Sequence, residues 1–272
     1  MIGFIGAGLF SGWLFILQQL LVAKMNLEVI NEENFRYLCQ GLTLDLHDMQ
    51  VIDQVLLGLN SQNGLVSKII THNEIQGSES ILDNDGPQII VDCDKCRISG
   101  KPLTIATVLM KKDSIGLPPM LHINLHSPTL DIPQRIEIPL RYILNGMEPL
   151  EGTYMVYLHA LQMNNKETFI YYGVTKRGWM KRFNEHTRLA VKGKLHRKFP
   201  KLLGESIESR IYELLHGADS NSVNNILTGS HHVVCAAGRT KQNAFEIEKC
   251  LIHKRSLSVT EGLNMISGSN IK

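Results

Sequence analysis

The stretch GTYMVYLHALQMNNKETFIYYGVTKRGWMKRFNEH, residues 152 to 186, decides the fold of the C-terminal half. Two runs of β-branched and aromatic residues, Thr153 to Leu161 and Thr168 to Thr175, flank the turn-forming pair Asn164-Asn165 and predict a β-hairpin. A helix over Gly178 to Val191 follows at once. Side chains alternate along a strand, so Tyr154, Val156 and Leu158 share a face of the first strand, as Phe169, Tyr171 and Gly173 do on the second. The hairpin is expected to bring Tyr154 and Tyr171 onto one surface.

The helix supplies charge to that surface. Successive residues turn by about 100°, so Trp179, Phe183 and Ala190 define the buried stripe. His186 lies in the stripe and Arg182 beside it, whereas Lys181, Glu185, Arg188 and Lys192 point away. An arginine turned towards a sheet needs a carboxylate or a phosphate, because buried charge without a partner is costly. An internal salt bridge and a bound phosphate both satisfy that need.

Further along, the order is helix (Glu205 to Leu215), short strand (His232 to Ala236) and helix (Lys241 to Arg255), an α+β domain on a small antiparallel sheet of three strands. In the last helix Ala244, Ile247, Leu251 and Ile252 form the apolar face. Glu248 falls within that face and Glu246 towards solvent. A glutamate so placed pairs with a cation, Arg182 being the nearest candidate, or binds a metal ion.

Upstream, residues 26 to 60 carry helical periodicity broken near Gly41 and Gly58, and residues 61 to 86 are rich in Asn, Ser, Gly and Asp. Short β-like runs then appear at Ile89 to Val91, Leu103 to Met110, Leu121 to Leu125 and Ile136 to Ile138. These features predict a helical plus β module over residues 26–148, with a boundary in the Gly- and Pro-bearing stretch 145–151.

Charge is distributed unevenly. Residues 1–150 hold 10 Lys and Arg against 16 Asp and Glu, whereas residues 151–272 hold 18 against 10. Ten of those cations lie between Lys176 and Lys201, with Glu185 the one acid among them. Such a block points to phosphate contacts. The 5 cysteines do not form a disulfide framework for a chain of 272 residues, so a reducing, cytoplasmic setting is expected. Cys93 and Cys96, with His122 and His126, could supply four ligands to a structural Zn²⁺, or the two histidines could simply face solvent. Residues 2–23 carry no charge and leave three readings open: a membrane anchor, an extension before a start at Met25, or a buried helix. As an anchor, with Lys24 beyond it, the segment would tether the following domain on the cytoplasmic side.

Taken together, residues 151–268 resemble the GIY-YIG nuclease superfamily. Gly152-Thr153-Tyr154 stands at G-I-Y, Tyr171-Tyr172-Gly173 at Y-I-G, and Arg182 with His186 fits R-x-x-x-H. Glu248 in Ala244-x-x-x-Glu248-x-x-x-Ile252 matches the family's glutamate helix, and Gly262-Leu263-Asn264 followed by Gly268 its terminal asparagine segment. Thr153 and Tyr172 stand where the family has aliphatic residues.

The resemblance implies a small antiparallel three-stranded sheet flanked by helices, and a DNA endonuclease using one Mg²⁺ or Mn²⁺. It implies that Tyr154 activates water with help from Tyr171, that Arg182 stabilises charge on the phosphoryl group, and that His186 supports the phosphate or the proton transfers. Glu248 holds the metal ion, and Asn264 contacts DNA or fixes the site. Lys176, Arg177, Arg188, Lys192, Lys194, Arg197 and Lys198 are the expected DNA contacts. The expected tyrosine base works at neutral pH only if nearby cations lower its pKa. Rival readings are a DNA-binding protein that no longer cuts and a membrane-tethered interaction protein.

Overall fold

A computed structural model describes residues 27–42, 44–64, 88–94, 103–109, 119–127, 129–193, 196–217, 225–256 and 262–264. In chain order the elements are α1 (Glu32–Leu38), α2 (Leu46–Asn63), β1 (Gln88–Asp94), β2 (Leu103–Leu109), β3 (Met120–Ser127), β4 (Ile132–Pro139), a 3₁₀ turn (Leu140–Ile143), β5 (Tyr154–Met163), β6 (Thr168–Thr175), α3 (Trp179–Val191), α4 (Lys198–His216), β7 (Leu227–Arg239) and α5 (Lys241–Arg255). Local chemistry sets several of these limits. Asn31 caps α1 by accepting the Asn34 N–H, and Asp45 and Asp48 form a reciprocal capping box at the start of α2. Helix α4 begins at Lys198, ahead of the expected Glu205, because Pro200 falls in the first turn, where no intrahelical donor is needed.

The fold is α+β, but the expected three-stranded sheet is only part of a larger one. Seven strands form one mixed sheet in the order β2-β1-β3-β4-β7-β5-β6. The antiparallel set β7-β5-β6 is present, and β4 joins it in parallel, Gln134 to Glu137 pairing with Ser230 to Val233. Strand β7 is therefore paired along both edges, which explains why it extends beyond the expected His232 to Ala236.

Polar contacts tie the two halves. Buried Glu137 on β4 lies 3.0 Å from His122 Nδ1 on β3 and from His231 Nε2 on β7. Burial pushes its pKa up, and the two histidines outweigh that and hold it at about 2. The expected boundary at 145–151 is also crossed: the buried Asn34 side chain donates to the Glu148 carbonyl at 3.0 Å and accepts from the Leu150 N–H at 2.9 Å.

Both faces of the sheet are packed. Phe35 and Leu38 of α1 and Ile52 and Leu56 of α2 bury one face with Ile136, Tyr157 and Trp179. Ala190 of α3 and Phe199 and Leu203 of α4 extend that layer over Leu161. Helix α5 covers the other face, with Ala244, Leu251 and Ile252 on Val156, Leu158, Ala160 and Tyr172. Among the described residues no helix is long and apolar enough to cross a membrane, and residues 2–23 lie outside them.

Candidate active site

The hairpin turn sets the register on which the site depends. Lys166 adopts a left-handed backbone with φ 68°, and the Glu167 N–H donates to Asn165 Oδ1 at 3.0 Å. The resulting pairs are Gln162 with Thr168, His159 with Tyr171, and Tyr157 with Gly173. Residues directly opposite in a ladder share a face, so Tyr171 lies with Tyr157 and His159. Tyr154 does not. It packs in the layer under α5, its ring 6.4 Å from Phe245. The expected pairing of Tyr154 with Tyr171 is corrected on that ground, and Tyr157 takes the place assigned to Tyr154.

Gly173 makes this geometry possible. A Cβ there would lie 2.6 Å from Tyr157 Cζ and collide with the hydroxyl, so only a glycine lets the phenol cross β6.

Helix α3 brings Arg182 and His186 to the same face, as its periodicity predicts. Its start is fixed by Trp179, whose buried indole N–H donates to the Leu38 carbonyl at 2.8 Å. The half-buried Arg182 guanidinium stands beside the Tyr157 hydroxyl and forms an ion pair with Glu185. Glu185 also meets the exposed Arg177 at 2.8 Å. His186 is buried against Tyr171 and Phe199, with ring centroids 5.1 Å from each. Neither of its ring nitrogens has a hydrogen-bond partner among the described residues. Burial, then the charges of Arg182 and Arg197, lower its pKa to about 4, which leaves the imidazole neutral at pH 7.

Glu248 enters from α5. It is buried on the helix's inner side, and its charge reaches both Tyr157 and Tyr171. Burial is the main cause that raises the Tyr157 pKa well above the ordinary phenol value; Tyr171 and Glu248 add to it, and Arg182 opposes them. Tyr171 is raised too, by burial first, against Arg182 and Arg197. The expectation that nearby cations make a tyrosine acidic is thus reversed in the protein alone, because desolvation of a buried phenolate outweighs the cations.

The remaining expected residues divide. Lys176, Arg177, Arg188, Lys192, Arg197 and Lys198 are exposed around the ends of α3 and the start of α4, whereas Lys194 lies outside the described residues. Asn264 is buried. Its amide donates to the Tyr172 carbonyl at 2.9 Å and accepts from the Tyr172 N–H at 3.0 Å, extending the β6 ladder; Ser256 also donates to it. Of the two expected roles, DNA contact and fixing the site, these bonds accord with the second.

For the zinc expectation, Cys96 and the Cys93 side chain lie outside the described residues. His122 bonds to Glu137, and His126 Nε2 lies 2.7 Å from Asp131 Oδ1. No group of three or more His, Cys, Asp and Glu suited to a metal ion occurs among the described residues.

Sequence reasoning missed Tyr157, His159 and His232. The loop has three residues, Asn164 to Lys166, with Met163 opposite Glu167, so Tyr171 faces an odd-numbered residue of β5; a two-residue turn at Asn164-Asn165 would put it opposite Leu158, on the Tyr154 side. Comparison with models of known families, with curated proteins and with solved structures yields no match to this chain.

Proposed function

We propose that the chain is a nuclease of the GIY-YIG type that hydrolyses DNA phosphodiesters, with Tyr157, Tyr171, Arg182, His186 and Glu248 as its reacting group. The supporting observation is the meeting of these five side chains, carried on β5, β6, α3 and α5, beside the glycine that lets the Tyr157 phenol lie across β6.

Glu248 would hold Mg²⁺ or Mn²⁺. A single buried carboxylate suits such an ion, which keeps several waters and takes phosphate oxygens beside one or two carboxylates. When bound, the ion supplies stabilisation of the leaving oxygen.

The chain's own residues do the rest. Arg182 and Arg197 attract the phosphate, and Arg182 meets the charge that develops on its non-bridging oxygens as water bonds to phosphorus and the ester bond breaks. Neutral His186 offers its N–H to a phosphate oxygen and its lone pair to the attacking water, taking the proton that the water loses and passing it to the leaving oxygen. Tyr157, protonated at rest, orients the water through its hydroxyl oxygen, and Tyr171 holds the adjacent phosphate oxygen. The exposed cations of α3 and α4 carry the flanking phosphates.

A second reading, DNA binding without cleavage, is favoured by one observation: both tyrosines are held protonated. Plasmid and linear duplex incubated with and without Mg²⁺, beside a Glu248→Ala variant, separates the two. Nicking that requires Mg²⁺ and falls by about 10²-fold or more in Glu248→Ala is expected. Salt-sensitive binding with no nicking above that control would replace the enzyme by the binding protein.

A further inference from the structure

Two buried histidines take no part in the reaction outlined above. His159 on β5 is fully buried and His232 on β7 is 2 % exposed, and their Nδ1 atoms lie 2.9 Å apart across the β5–β7 ladder. Burial holds both imidazoles neutral at pH 7; the other causes pressing the same way are His232, His186 and Arg182 for His159, and His231 for His232. One ring therefore donates its Nδ1–H and the other accepts. Two leucines would fill this layer at least as cheaply, and what they could not supply is a directional bond that fixes a ring plane.

The His159 plane matters because of what leans on it. Its ring centroid lies 4.6 Å from Tyr157, 5.7 Å from Phe199, and 6.5 Å from both Tyr171 and His186. Of the rings around it, Tyr157 and Tyr171 carry the two hydroxyls of the candidate site. Strand pairing fixes their Cα atoms and leaves the side-chain torsions to their neighbours.

On its far side the pair is anchored. The Trp179 indole stacks on His232 with centroids 5.1 Å apart and planes at 25°, and Trp179 itself is bonded to the Leu38 carbonyl. A continuous series runs from helix α1 through Trp179, His232 and His159 to the two tyrosines.

We infer that His159, oriented by His232, is a positioning residue that sets the Tyr157 and Tyr171 hydroxyls relative to Arg182, and that α1 is the outer anchor of this series. The structural part stands on geometry alone; its catalytic consequence rests on the nuclease reading.

The test uses the full chain labelled with ¹³C at the tyrosine ζ carbon. The 7 tyrosines give seven signals. Tyr157→Phe and Tyr171→Phe identify the two of interest, and the exposed Tyr212 serves as reference. His232→Leu deletes the bonding atom, whereas His232→Asn keeps an amide near the Nδ1 position. The Tyr157 and Tyr171 signals should move in His232→Leu, return in His232→Asn, and leave Tyr212 in place. Nicking should fall about 10-fold in His232→Leu at unchanged KM and recover in His232→Asn.

Unmoved signals in a folded His232→Leu protein, or a His232→Asn protein that behaves like His232→Leu, would overturn the inference. Should His232→Leu not fold, the His159→Phe/His232→Phe double variant removes both bonding atoms, keeps the ring volume and is read by the same two signals. A wild-type protein that never nicks DNA refutes the nuclease reading, and the tyrosine signals still decide this one.

Discussion

Along β5, Tyr154, Val156, Leu158 and Ala160 face α5, whereas Met155, Tyr157, His159 and Leu161 face the layer under α3 and α4. The first set meets the apolar side of α5 and is closed by apolar contact, Tyr154 against Phe245 included. The second meets Tyr171, His186, Phe183 and Phe199, an aromatic layer that also holds three neutral histidines. One strand thus separates a face whose side chains serve packing from a face whose side chains present hydroxyls and ring nitrogens. The lesson is that parity, more than residue type, decides which layer a tyrosine joins: Tyr154 and Tyr157 sit three residues apart on opposite sides of the sheet.

The comparison can be broken at several points. The largest loss of stability belongs to the packing face, where Leu158→Ala removes a fully buried side chain and should cost about 2–5 kcal/mol in denaturant unfolding, with activity per folded molecule kept. Gly173→Ala strikes the other face. It should cost about 1–3 kcal/mol through overpacking against Tyr157, and a second change, Tyr157→Leu, should recover most of that stability without recovering activity.

Acid should act through the histidine face. His186 is held to about pKa 4 and His232 to about 3, while the unfolded chain binds those protons near 6.5. The folded protein refuses protons that the unfolded protein accepts, so stability is full above pH 6.5 and falls as pH drops towards 4 and then 3. Thermal melts across that range should show a loss on the order of 2–3 kcal/mol from His186 alone by pH 4, and His186→Phe should flatten the curve. A melting temperature constant from pH 7 to 4 would contradict burial of the neutral rings.

The smallest effect expected is at the edge of β6. Asn264→Ala should cost about 1–2 kcal/mol by leaving the Tyr172 backbone groups unpaired, and DNA affinity should not change.

Much of the site was legible in the sequence. The 3.6-residue period placed Arg182 and His186 on the inner side of α3 and Glu248, not Glu246, on the inner side of α5. The hairpin followed from two β-rich runs about Asn164-Asn165. Two things were not read. The parallel pairing of β4 with β7 joins residues about a hundred apart, and no local period records a non-local ladder. Tyr157 was hidden too: a two-residue turn at Asn164-Asn165 gives the opposite parity to the three-residue loop that forms, and Gly152-Thr153-Tyr154 matched a motif by letter but lies on the other side of the strand. The raised tyrosine pKa values were hidden for another reason: cations are visible in a sequence, whereas the burial that outweighs them is not.

The central claim, that chemistry belongs to the Tyr157 face, is tested most directly by Mg²⁺-dependent plasmid nicking with Tyr157→Phe and Tyr154→Phe side by side, each checked for an unchanged melting temperature. Tyr157→Phe should lose roughly 10²-fold or more in rate while Tyr154→Phe stays within about threefold of wild type. The reverse order, with Tyr154→Phe inactive and Tyr157→Phe active, would contradict it.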